Sequence, residues 1–123
     1  MIIKIPTIKK ELKDDKLIKH KGEMKVEIDT SFLAHLKWEE KFQENMGVDL
    51  NTYTSKVREW LEDDTLAKRN FMGFLKLLYC YVNSDKLPTF KSFIKLFDYE
   101  IADEILRKIT IVLDEAGEVS AKN

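Results

Sequence analysis

The chain of 123 residues is 44% hydrophobic, 11% aromatic and 35% charged, which supplies one folded core, excludes disorder along its whole length and leaves little room for a second domain. Twenty-one lysines and arginines against twenty-two aspartates and glutamates leave a formal charge of -1, so no global field favours a polyanion. Its one cysteine, Cys80, excludes an internal disulfide and a zinc site built on paired thiolates, and fits a reducing cytosol.

The opening MIIKIPTIKKELKDDK is broken by Lys4 and Pro6 and lacks the apolar core of a signal peptide. Residues 1–29 read as a unit of their own, a β-hairpin or extended arm. Ile2, Ile3 and Ile5 mark one strand, and Met24, Val26 and Ile28 alternate with Lys25, Glu27 and Asp29 in a second, giving one apolar and one wet face. Between them IKKELKDDKLIKHKGE suits a loop, a mobile arm or a short helical turn.

Residues 30–116 read as a helical body. Asp29, Thr30 and Ser31 offer caps to a helix that carries Phe32, Leu33, Leu36 and Phe42 and ends near Met46 and Gly47. Asp49 caps a second helix whose stripe is Leu50, Tyr53, Val57, Trp60 and Leu61. Asp63, Asp64 and Thr65 open a third, running to about Val82 and apolar around its whole circumference from Phe71 onward. Such a helix is central, and part of its surface is expected to be covered by another subunit or a ligand chain. At about a dozen residues, Phe71 to Val82 is too short to span a bilayer, which takes about 20.

NSDKLP reads as a turn, after which Thr89 caps a short helix bearing Phe90, Phe93, Ile94 and Phe97. Asp98 starts a last helix with the stripe Ile101, Ala102, Ile105, Leu106, Ile109 and Val112, expected to stop at Gly117. Residues 117–123 are expected to be a mobile tail. The fold class is mainly α: a bundle of about five helices with an N-terminal β-hairpin or extended arm.

Catalytic chemistry needs a constellation, and the residue spacings supply none. His20 and His35 have no His or Cys three or four positions on, and Cys80 sits in the most apolar helix as a packing thiol. Glu39–Glu40 lie beside Lys37 and Lys41 on a wet face, Asp63–Asp64 cap a helix and Asp103–Glu104 fall in the first turns of another. Gly22, Gly47, Gly73 and Gly117 are too scattered for a phosphate loop. No catalytic residue, cofactor or metal is expected.

Lys4, Lys9, Lys10, Lys13, Lys16, Lys19, Lys21 and Lys25 crowd the first 25 residues, yet Glu11, Asp14, Asp15 and Glu23 interleave with them and the arm has no arginine. That dilutes phosphate attraction and favours a solvated segment. A small DNA-binding or regulatory protein using this Lys-rich arm is the rival reading. Seven phenylalanines and two tryptophans are many for this length, and large aromatics anchor interfaces. Core filling is the expected role of Phe71, Phe74, Phe93 and Phe97, with Phe71 also kept among the partner candidates. Trp38, Phe42, Trp60 and Phe71 are the candidate partner contacts, with Trp38 at the edge of its helix stripe beside Lys37, Glu39 and Glu40.

The stretch from Asp29-Thr30-Ser31 through Ala34, Trp38-Glu39 and Phe42, followed by Asp49-Leu50-Asn51-Thr52-Tyr53, resembles the tail assembly chaperones of long-tailed (siphovirus-type) phages of Gram-positive bacteria. Those proteins tend to show an extended strand ending in a D-T-S-like cap, an A-x-x-x-W-E-x-x-F stretch and a D-L-x-x-Y helix opening. The resemblance covers about 25 residues of this chain directly. It implies a non-enzymatic, mostly helical protein of the host cytoplasm, absent from the mature virion. Such a protein self-associates and shields the hydrophobic tape measure protein until tail tube subunits polymerise. It also implies, as a further partner, a longer frameshifted form of the same chain. Neither nucleic acid nor membrane is an expected partner.

Overall fold

The fold was described from a computed structural model that covers residues 1–83 and 89–122, with side chains as far as residue 116. The architecture is roughly the mainly α one expected, with a notable share of strand beside the helices. Among the described residues, an antiparallel sheet of order β1-β2-β3 accompanies seven α-helical segments and one 3-10 turn.

The segment left between loop, arm and helical turn is strand. β1 (Ile2–Lys13) and β2 (Lys16–Ile28) pair without interruption from Ile2 opposite Glu27 to Lys13 opposite Lys16. The two residues left over, Asp14 and Asp15, both take positive φ (52° and 59°). That is the signature of the two-residue turn whose twist matches that of the strands, and aspartate tolerates the left-handed region better than most residues.

Only the base of this ribbon is buried, at Ile5, Pro6, Ile8, Val26 and Ile28. On the outer edge of β1 the Ile8 N–H donates to the Leu96 carbonyl at 2.7 Å. Pro6, two residues earlier on the same outward side, has no N–H to leave unpaired. The third strand, β3 (Val82–Asn83), adds to β2 at Glu27 and Ile28.

In the body the expected caps hold each start. Ser31 accepts from the Leu33 N–H to open α1 (Phe32–Lys41), Asp49 from Thr52 to open α3 (Leu50–Leu61), and Asp63 from Thr65 and Leu66 to open α4 (Asp64–Arg69). Thr89 accepts from Ser92 to open α6 (Phe90–Ile94). Asp98 accepts from Glu100 at the 3-10 turn Tyr99–Ile101 that leads into α7 (Ala102–Lys122).

Two expected helices are split. The first breaks at Phe42 (φ −129°) before α2 (Gln43–Met46), which Gly47 closes in the left-handed conformation at φ 73°. The third breaks at Asn70, whose side chain donates to the Leu66 carbonyl, before α5 (Phe71–Tyr81). Asparagine competes in this way with helix hydrogen bonding. The last helix runs to Lys122, past the stop expected at Gly117. One glycine costs a helix only about 1 kcal/mol, and no proline follows it. The turn expected over NSDKLP lies, from residue 84 on, outside the described residues.

α5 is central, as its composition implies. It buries eight of its eleven side chains and packs against α1, α3, α6 and α7. The chain itself supplies nearly all of its cover, and Met72 is the one α5 side chain left exposed.

Candidate interaction surfaces

The four aromatics expected at a partner surface lie in or against the core. Trp38 is fully buried, stacks on Tyr53 with ring centroids 4.9 Å apart, meets Phe42 at 5.6 Å and donates from Nε1 to the Val48 carbonyl at 2.9 Å. Phe42 is buried edge-on to Phe90 and Tyr79, and Phe71 is buried beside Tyr99. Trp60 is half-buried, edge-on to Tyr53 and to Phe74. With the fold intact, Trp38, Phe42 and Phe71 present almost no surface to a partner. The stretch A-x-x-x-W-x-x-x-F is a buried stripe, Ala34, Trp38 and Phe42 recurring every four residues on the side of α1 that meets α5.

What α1 leaves outside is the other apolar set. Phe32 is 88% exposed, and Leu33 and Leu36 are exposed beside it, three side chains on adjoining positions of one helix face. The same helix is held to the sheet by Lys37, whose ammonium donates to the Val82 carbonyl at 2.7 Å and lies 5.7 Å from the Tyr79 ring centroid. α1 thus presents a fixed apolar face rather than a loose one. Phe32, Leu33 and Leu36, the apolar series that marks this helix in the sequence, lie outside the core. The four-residue spacing of Ala34, Trp38 and Phe42 is the sequence signal for its inner side.

The second exposed feature is the distal ribbon. Strand alternation puts Lys10 opposite Lys19 and Leu12 opposite Leu17 on one face. Like charges set opposite each other repel, and Asp98 offsets that repulsion by pairing with both, at 2.9 Å to Lys10 and 3.3 Å to Lys19, while Glu100 takes Lys19 at 3.4 Å. The Glu100 N–H and then Lys10, with Lys19, hold the Asp98 carboxyl well below the usual aspartate range.

An acid whose pKa is lowered by folding stabilises the fold fully above the ordinary aspartate value near 4 and loses that contribution as pH falls below it. Hydrogen-exchange protection of ribbon amides is therefore expected to hold from pH 7 to about 5 and to drop below about 4. In Asp98→Asn, which keeps a capping oxygen, protection should be weaker at pH 7 and show no such drop. An identical drop in that variant would assign it to another carboxylate.

Burial pushes the Cys80 thiol up to about 12, far from a usable thiolate. His20 meets Glu11 at 3.1 Å on the exposed ribbon. Among the described residues no group of three or more His, Cys, Asp or Glu could hold a metal ion, and no helix is long and apolar enough to cross a membrane. Compared with known proteins, the chain matches no family model, no curated protein and no solved structure.

Proposed function

We propose that this chain is a non-enzymatic assembly protein of the tail assembly chaperone kind. In this reading it works in the host cytoplasm, self-associates and covers the apolar face of a tape measure protein until the tail tube closes around it. The observation that carries the reading is the outward apolar face of Phe32, Leu33 and Leu36 on the helix that also bears the resemblance. An amphipathic helix laid across such a face buries its own apolar stripe, and contiguous exposed apolar side chains mark partner sites. Shielding of this sort acts by mass action on the bound form and needs neither nucleotide nor covalent chemistry. The rival, nucleic-acid reading is weakened because Lys10 and Lys19 of the arm are already paired with Asp98 and Glu100.

Co-expression with a tape measure protein tests the proposal. The parent chain is expected to keep that protein soluble and to co-purify with it. The double variant Phe32→Asp, Leu36→Asp should lose most of the recovered complex while unfolding within about 0.5 kcal/mol of the parent, as exposed substitutions usually do. A tape measure protein that stays insoluble with the parent chain, or is recovered equally with the variant, would overturn it.

A further inference from the structure

We propose that the ribbon tip is a plug for a second copy of this chain: Leu12 and Leu17 of one molecule enter an apolar notch between α5 and the 3-10 turn of the next. The two leucines are direct cross-strand neighbours and stand 73% and 60% exposed, so their own chain does not seat them. Lys10 and Lys19 are the ribbon's last ties to the body. Asp14 lies four residue steps beyond Lys10, so at about 3.3 Å per step the tip stands roughly 13 Å beyond those ties.

The notch is lined by Phe71, Met72, Leu75, Ile94, Phe97 and Tyr99, with Asp98, already paired with Lys10 and Lys19 of its own chain, as its one charged wall residue, and has a volume of about 130 Å³. An apolar cavity of roughly 150 Å³ accepts a benzene ring, so this one has room for a leucine side chain. The second leucine can rest on the rim, where Met72 and Tyr99 are exposed.

Charge fits the same pairing. The turn joining the leucines carries Asp14 and Asp15, while exposed Lys91 in α6 and exposed Lys95 at its C-terminal end are chain neighbours of the lining residue Ile94. None of these four takes part in an ion pair among the described residues. Meanwhile Lys9, Lys13, Lys16 and Lys21 along the strands oppose edge-to-edge pairing of two ribbons, which directs contact to the tip. Plug and notch are different surfaces, so the contact is head-to-tail and propagates into a ring or an open chain.

This assembly mode rests on the self-association within the proposed function, and its test is separate from tape measure binding. Light scattering after gel filtration over a concentration series is expected to show the parent chain exceeding its monomer mass of 14.5 kDa. Leu12→Thr, Leu17→Thr keeps strand-forming residues and removes the plug. Met72→Glu spoils the notch at an exposed position. Each variant should weaken association by about a hundredfold or more, the loss expected when two leucine burials are removed. Mixed together, the two should give a one-to-one dimer that grows no further, since each retains one intact surface. A strictly monomeric parent chain, a tip variant that assembles like the parent, or a mixture that stays monomeric would each overturn the proposal. Capture of the tape measure protein through α1 could survive any of these outcomes.

Discussion

Trp38→Ala is expected to lower folding stability by about 3–5 kcal/mol, the usual cost of truncating a fully buried tryptophan. That is a large part of the roughly 5–15 kcal/mol that holds a domain of this kind together. Two losses combine. The indole leaves a cavity between Phe42 and Tyr53, and the Val48 carbonyl loses its donor. Trp38→Phe keeps most of the ring and forfeits the hydrogen bond, and should cost much less. Denaturant unfolding checks both. If Trp38 is core, any assembly defect of Trp38→Ala follows the fraction unfolded. A stable Trp38→Ala chain that fails to assemble would instead place the ring at an interface.

Gly73→Ala is expected to be destabilising even though alanine is the better helix former. A Cβ at residue 73 would fall inside the contact radius of the Tyr53 hydroxyl and only 3.1 Å from its Cζ. The Tyr53 ring cannot swing aside, since Trp38 stacks on it and Trp60 meets it edge-on at 5.9 Å. Overpacking of this kind costs about 1–3 kcal/mol, against a gain in helix propensity of about 1 kcal/mol. Removing the hydroxyl with Tyr53→Phe should relieve most of the clash, so the same glycine change should be nearly neutral in that background. Thermal melts of the four proteins give the coupling. A Gly73→Ala chain more stable than the parent, with Tyr53 intact, would mean that the hydroxyl is not held where the packing places it.

Helix starts were the most legible feature of the amino-acid sequence. Ser31, Asp49, Asp63, Thr89 and Asp98 each accept from a first-turn N–H, because capping depends on side chains a few residues away. The stripes of α3 and α7 were legible for the same reason: each helix has one apolar set at helical spacing. α1 has two such sets, and bulk favoured the wrong one. Which side faces inward is decided by α5, some forty residues later in the chain. The breaks at Phe42 and Asn70 depend on packing in the same way.

The ribbon was half legible. Its base alternates cleanly, whereas in its distal half lysines occupy both faces and the turn is Asp-Asp rather than the usual pairing with glycine, so period and turn chemistry were both muted. The interface candidates were misplaced because large aromatics are as characteristic of a core as of an interface. Exposure sets Phe32, Leu12 and Leu17 outside and Trp38 inside.

The ribbon's anchorage also orders events during synthesis. Its base leans on partners made much later: the Ile8 N–H on the Leu96 carbonyl, Ile28 on Val82, and β1 on α7. Until Val82, Leu96 and α7 have been made, Ile5, Ile8, Val26 and Ile28 have nothing to rest against, and two strands alone are marginal in water. The ribbon is therefore made before the elements that hold it and settles after them, and nascent chains stalled before residue 96 should display it as a protease-sensitive arm.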